Sequence, residues 1–259
     1  MHTLELFQLE GRTALVTGGG HGIGRHLSIG LAEAGADVIV VGRKPDPLLE
    51  VVHAIEEIGR RAWSIEADLS DLEGIDRVVA SIGELVGHVD ILVNNAGMVW
   101  AAPTLDYPME GWDKVFDLNI RGLFYLSQQC ARLMKEHGGG SIINIASISA
   151  WRCAPDEEEP VVAYNASKGA VISLTRDLGV KLARDNIRVN CIAPGPFLTS
   201  MMNHVRHDEE KLQAFENSIP QRRSGEEDDM KGVVVFLASA ASAFVTGQTV
   251  IVDGGWSCT

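Results

Sequence analysis

Short runs of apolar, β-branched residues alternate along the chain with longer segments of helical period, and few folds accommodate that alternation. Arg12–Thr17, Asp37–Val41, Arg61–Glu66, Val89–Asn94, Ser141–Ile145, Ile187–Ile192 and Thr249–Val252 have the length and composition of strands. Their nearly continuous apolar content, without clean alternation, predicts strands buried on both faces of a parallel sheet. Between them, Ile23–Ala34, Leu48–Ile58, Leu72–Leu85, Met109–Lys135, Val161–Ala183 and Glu226–Leu237 read as helices. Asp71 and Glu73 stand where a helix start favours acids, and Gly35, Gly59 and Gly87 follow helix ends. No repeat or linker interrupts the pattern. It predicts one α/β domain over residues 1–259: a doubly wound parallel sheet of about seven strands, flanked by helices. Such sheets bind ligands at the strand carboxyl ends where the strand order switches, which here means after the first and fourth strands.

Composition narrows the partners. A formal net charge of -13 argues against nucleic acid or an anionic membrane surface, and weakly against an acidic carrier protein. Cys130, Cys153, Cys191 and Cys258 are scattered, with no spacing that suggests zinc, so free thiols and no metal site are expected. The first residues lack a basic stretch followed by an apolar one, and no apolar run reaches membrane-spanning length. A cytoplasmic protein with a small-molecule ligand is the expectation.

The first strand ends in Thr17-Gly18-Gly19-Gly20-His21-Gly22-Ile23-Gly24 and runs straight into a helix. Glycines there permit a tight turn and close approach of a pyrophosphate, whose charge then sits at the helix N-terminus. A glycine-rich turn can also be only a turn, and the absence of a following Gly-Lys-Ser/Thr excludes a P-loop. The second strand ends in Val41-Gly42-Arg43-Lys44. An acid at this point would bind a ribose 2′-hydroxyl. A small residue followed by arginine suits a 2′-phosphate instead, so NADP(H) is expected over NAD(H), with a solvated surface arginine as the plain alternative. After the third strand, Asp68 with Leu69 is placed to meet the adenine, unless Asp68 merely caps the next helix.

Tyr164 and Lys168 lie four residues apart at the start of a helix, which sets phenol and ammonium on one face. A cation about 4 Å away at an effective dielectric near 20 is worth roughly 4 kcal/mol, enough to pull a phenol down by up to about three pKa units. Such a phenol could exchange a proton with a carbonyl oxygen. Ser147, just past the fifth strand, could hydrogen-bond the same oxygen, or simply close a turn.

These motifs resemble, in order and spacing, those of the short-chain dehydrogenases/reductases: the Thr-Gly-x-x-x-Gly-Ile-Gly turn, Asn94-Asn95-Ala96-Gly97, Ser147, Tyr164-x-x-x-Lys168, Pro194-Gly195 and Val252-Asp253-Gly254-Gly255. The resemblance runs from about Gly11 to Gly255 and implies a Rossmann-type fold. It implies hydride transfer between a nicotinamide and a ketone or secondary alcohol, with Ser147 polarising the carbonyl, Tyr164 as acid/base and Lys168 binding the nicotinamide ribose. Asn119 would hold a water in a proton relay to the lysine. Gly18, Gly20, His21, Gly22, Ile23 and Gly24, with Arg43, Asp68 and Leu69, would cradle the cofactor together with Tyr164 and Lys168. Asn94, Asn95, Ala96 and Gly97 would line its adenosine side, and Pro194, Gly195 and Thr199 its carboxamide.

Two departures stand out. His21 occupies a position usually basic in NADP-dependent relatives, so the cofactor expectation rests on Arg43. The Ser147–Tyr164 interval is also a few residues long, the excess falling in Trp151–Pro160, which contains Asp156-Glu157-Glu158-Glu159. That run reads as a solvated loop, or as a pocket border that repels carboxylates. Ser149 is a competitor for the serine role. Residues 197–218 are expected to form a substrate lid. Within the family the chain is similar to the gluconate 5-dehydrogenase group, implying a sugar acid or polyol substrate. A 3-oxoacyl carrier-protein reductase and a non-catalytic dinucleotide sensor are the alternatives. Family members assemble through helices matching Met109–Lys135 and Val161–Ala183, implying a homotetramer or homodimer.

Overall fold

In the computed structural model, which describes residues 2–198 and 208–259, seven parallel strands form one sheet in the order β3-β2-β1-β4-β5-β6-β7. The strands are β1 (Thr13–Thr17), β2 (Asp37–Gly42), β3 (Ala62–Glu66), β4 (Ile91–Asn94), β5 (Gly140–Ile145), β6 (Ile187–Pro194) and β7 (Thr249–Val252). Among the described residues the α-helices are α1 (Gly22–Glu33), α2 (Pro45–Glu57), α3 (Leu72–Leu85), α4 (Met109–Phe116), α5 (Leu123–Glu136), α6 (Val162–Lys181), α7 (Glu209–Ser218) and α8 (Glu227–Ala238).

Neighbouring residues of one strand serve opposite layers. Val16, Val38, Val40 and Val93 point into one core with Leu31 of α1, Ile55 of α2 and Val234 of α8. Leu15, Ile39, Val41 and Leu92 point into the other with Val78 of α3, Leu126 of α5 and Leu178 of α6. Both faces being covered explains why the strands read as continuous apolar runs. β1 pairs with β2 on one side and β4 on the other, so the chain reverses its winding between these strands and opens a crevice at their carboxyl ends.

Three boundaries differ from the sequence expectation. The segment Met109–Lys135 is not one regular helix: a π-helical turn, Asp117–Gly122, separates α4 from α5. Hydrophobic period alone does not reveal a single inserted residue. α2 begins at Pro45 rather than Leu48, since proline is well suited to a first helical turn. α6 ends at Lys181 and gives way to a 3₁₀ turn over Ala183–Asp185. Asp71 does cap α3, accepting from Glu73 N and Gly74 N at 3.2 and 3.1 Å. Asp68 is therefore not the cap; it accepts from the backbone and hydroxyl of Ser70 at 2.9 and 2.7 Å. Among the described residues, no helix is long and apolar enough to cross a membrane.

Candidate active site

The turns after β1 and β4 are built as one unit. Thr17 Oγ1 accepts from the backbone N–H groups of Asn95 and Ala96, both at 2.9 Å. In return the Asn95 side-chain amide donates to Thr17 O at 2.9 Å and Gly18 O at 3.2 Å. Asn95 therefore clamps the floor of the crevice. Gly18 sits at φ +62°, and a Cβ on Gly24 would stand 2.0 Å from Gly18 O. The first turn of α1 folds back so closely that no side chain is tolerated there. His21 precedes α1 without making any side-chain capping bond, which leaves the helix's first N–H groups to an anion. This cradle fits a dinucleotide pyrophosphate.

Around it, Arg43 is exposed at the end of β2 and makes no ion pair among the described residues. It lies near enough to exposed Asp68 to help hold that carboxyl below its usual range, though burial of Asp68 opposes this and the Ser70 hydrogen bonds contribute more. Leu69 is buried beside them. Asn94 does not line the crevice, contrary to the sequence expectation. It is 3% exposed, and its amide donates to Ser127 Oγ and Asn144 Oδ1 at 2.8 and 2.9 Å. Strand alternation is the reason: Asn94 faces the layer under α5, and Asn95 the crevice. Pro194 ends β6, and Gly195 packs so tightly on the chain just past β7 that a Cβ would stand 2.4 Å from that of Asp253. Thr199 lies outside the described residues, as does much of the expected lid; α7 forms its described end.

Ser147, Tyr164 and Lys168 meet at the carboxyl end of β5. Lys168 is 5% exposed, donates to Ile145 O at 2.8 Å, and sits 5.5 Å from the centre of the Tyr164 ring. Burial pulls its pKa down to about 8. The expected lowering of the Tyr164 phenol by this lysine is absent in the protein alone. Burial holds the phenol above its ordinary value, Glu159 pushes it further up, and the Ser147 hydroxyl draws it partly back. The Lys168 ammonium lies over the Tyr164 ring and donates to a backbone carbonyl, and burial is the larger influence on the phenol.

Of the two serines, Ser147 is the one facing Tyr164. Ser147 Oγ donates to Ser149 Oγ at 3.0 Å and accepts from Ser149 N at 3.1 Å, while Ser149 Oγ faces Glu159. Asn119 lies in the π-helical turn, 1% exposed, with its side chain fully engaged: Oδ1 accepts from Met98 N at 2.9 Å, and Nδ2 donates to Met98 O and Ser167 Oγ at 3.0 Å each. A Cβ on Gly97 would lie 3.4 Å from Asn119 Oδ1 and 3.6 Å from Lys168 Nζ, so these three groups converge.

The way the long interval before Tyr164 is held does not follow from its length or charge. Asp156 accepts from Thr104 N and Oγ1 at 2.8 and 2.7 Å, and Pro160 O accepts from Ala102 N at 2.9 Å. Arg152 stacks over Trp256 at 4.4 Å. The loop is docked between the β4 turn and the C-terminal segment. The excess length and the acidic run Asp156–Glu159 are its signals in the sequence. Among the described residues no cluster of side chains could hold a metal ion.

A parallel sheet with a glycine cradle at its switch point, and a Ser–Tyr–Lys group beside it, defines a Rossmann-type nicotinamide-dependent oxidoreductase. A family model described as enoyl-(acyl carrier protein) reductase matches residues 18–257. The 2-dehydro-3-deoxy-D-gluconate 5-dehydrogenase of Dickeya dadantii is 41% identical, with 98% of each chain covered. The rhamnolipids biosynthesis 3-oxoacyl-[acyl-carrier-protein] reductase of Pseudomonas aeruginosa is 37% identical over 96% of this chain and 98% of its own. The crystal structure of a gluconate 5-dehydrogenase from Burkholderia cenocepacia, in complex with NADP and tartrate, superposes with a TM-score of 0.92 at 36% identity, covering both chains completely. The chain belongs to the short-chain dehydrogenase/reductase family, and is an enzyme acting on alcohol and carbonyl groups.

Proposed function

We propose that this enzyme interconverts a ketone and a secondary alcohol on a polyhydroxylated substrate, a sugar acid or polyol, using NADP(H). The convergence of Ser147, Tyr164 and Lys168 beside the glycine cradle carries the reading. The bound nicotinamide supplies or accepts the hydride at its C4. Ser147 holds the reacting oxygen, and Tyr164 delivers the proton to it, or removes it in the other direction. Lys168, kept at the Ile145 carbonyl, supplies a buried cation close to the ribose and phenol. Asn119 braces Met98 and Ser167 so that the lysine end of the site stays in place. Gly18 to Gly24, with Ala96 and Gly97, form the floor for the dinucleotide, while Pro194 and Gly195 close its nicotinamide end. Exposed Arg43, with no acid at the end of β2, supports a 2′-phosphate and hence NADP(H).

A 3-oxoacyl carrier-protein reductase is the second reading, favoured by the Pseudomonas relative. A net charge of -13 weighs against docking an acidic carrier. Retention of both Tyr164 and Lys168 weighs against a sensor without turnover. Exposed Met109, Phe124 and Val180, at 65%, 39% and 77%, support assembly into a homodimer or homotetramer through α4 to α6. A cytoplasmic location fits the free thiols.

The test is a panel of keto sugar acids, polyols, simple ketones and an acyl-thioester ketone with NADPH and NADH, followed by nicotinamide absorbance. Turnover of the hydroxylated carbonyls with NADPH is expected. Turnover of the thioester alone would overturn the substrate reading.

A further inference from the structure

The Glu159 carboxylate approaches the catalytic serine through one intervening hydroxyl, that of Ser149. Ser147 Oγ donates to Ser149 Oγ at 3.0 Å, and Ser149 Oγ donates to Glu159 Oε1 at 3.5 Å. Glu159 thus stands two hydrogen-bond lengths from the hydroxyl assigned to the reacting oxygen. Its position is built rather than incidental. The loop carrying it is tied down by Asp156 at Thr104 and by Pro160 at Ala102, and by Arg152 on Trp256.

The carboxylate is poorly served by the protein. It is half-buried, the Ser149 contact is long, and no cation lies within ion-pair distance among the described residues. A carboxylate offers about four acceptor sites, and withdrawing it from water without donors is costly. Burial accordingly pushes its carboxyl up, with Ser149 and Arg152 opposing. Its charge also raises the Tyr164 phenol. Glu159 therefore hinders the proton-transferring group unless a donor arrives to meet it.

The geometry points to Glu159 as a specificity-determining residue that accepts a hydrogen bond from a substrate hydroxyl one or two carbons from the reacting carbonyl. The selected class is hydroxyketones and the matching diols. A substrate carboxylate must lie at the far end, away from Glu159. This inference rests on the reading of Ser147 and Tyr164 as the pair that binds the reacting oxygen. A substrate oxygen on Ser147 and a neighbouring hydroxyl on Glu159 would repeat the spacing that Ser149 now spans. A site built around such a hydroxyl discriminates strongly against the analogue lacking it, because the acceptor is then left unpaired.

The experiment compares 2-hydroxycyclohexanone with cyclohexanone as substrates of the wild type, Glu159→Gln and Glu159→Ala, using NADPH. In the wild type, kcat/KM should favour the hydroxyketone by about tenfold or more, and the preference should fall about tenfold in Glu159→Ala, with Glu159→Gln between. A wild-type preference near unity overturns the inference without any variant. So does a preference that both folded variants keep. If the wild type reduces neither ketone nor any keto sugar acid with either nicotinamide, the reading of the whole site falls. Ketone turnover with an unaltered preference removes only Glu159.

Discussion

Lys168 donates to the Ile145 carbonyl at 2.8 Å from a position 5% exposed, so the ammonium is anchored to the sheet before any ligand is considered. Its pKa of about 8, against an ordinary value of 10.5, has a consequence for stability. Below pH 8 both folded and unfolded chains hold the proton; between there and the ordinary lysine value only the unfolded chain does. Folding stability from this group therefore rises with pH across that window. The stability difference, wild type minus Lys168→Met, should increase on the order of 3 kcal/mol between pH 7 and 10.5. Denaturant unfolding of both proteins across that range is the measurement; a constant difference would show an ordinary lysine.

Ser147 and Ser149 should separate cleanly. Ser147→Ala should lower kcat about 100-fold or more, because it removes a donor to the reacting oxygen. Ser149→Ala should cost less than about tenfold, since its hydroxyl faces Glu159. Steady-state kinetics on the same ketone decides; the reverse ranking would reassign the serine.

Tyr164→Phe should remove the proton-transferring group while leaving the ring's packing. A loss of about 100- to 10,000-fold in kcat is expected, with NADPH affinity retained in a fluorescence titration. Near-normal turnover would place the proton elsewhere.

Arg43→Ala tests the cofactor. The KM for NADPH should rise about 10- to 100-fold, with that for NADH nearly unmoved, because only the 2′-phosphate loses a partner. Equal effects on both cofactors would count against the phosphate contact.

Gly24→Ala puts a methyl 2.0 Å from Gly18 O, where the backbone itself must move. A stability loss of about 1–3 kcal/mol is expected, together with loss of nucleotide binding. Thermal unfolding with and without NADPH reads both; a variant still stabilised by NADPH would show the turn to be more pliable than this.

Much of this architecture is carried by local pattern. The continuous apolar runs predicted strands covered on both sides, and Val16 and Leu15 indeed serve opposite cores. The glycine turn, Asn95-Ala96-Gly97, Ser147, Tyr164 and Lys168 were recognisable because each motif's residue types follow from chemistry close in sequence. The placement of Asn94 is not legible in the sequence, because one step along a strand moves a side chain to the other face and the residue type does not reveal which. The π-helical turn at Asn119 is not legible in the sequence because its apolar period is almost that of a regular helix.

The sequence by itself determined the sheet, the cradle and the chemical class, since hydrophobic period and glycine placement are local consequences of backbone geometry. Only the tertiary structure decided what the groups do to one another. It set the Lys168 ammonium on the Ile145 carbonyl and over the Tyr164 ring, and it carried Glu159 through a docked loop to Ser149. Charge and hydrogen bonding depend on distances of a few ångströms between segments far apart in the chain, and those distances exist only once the layers have packed.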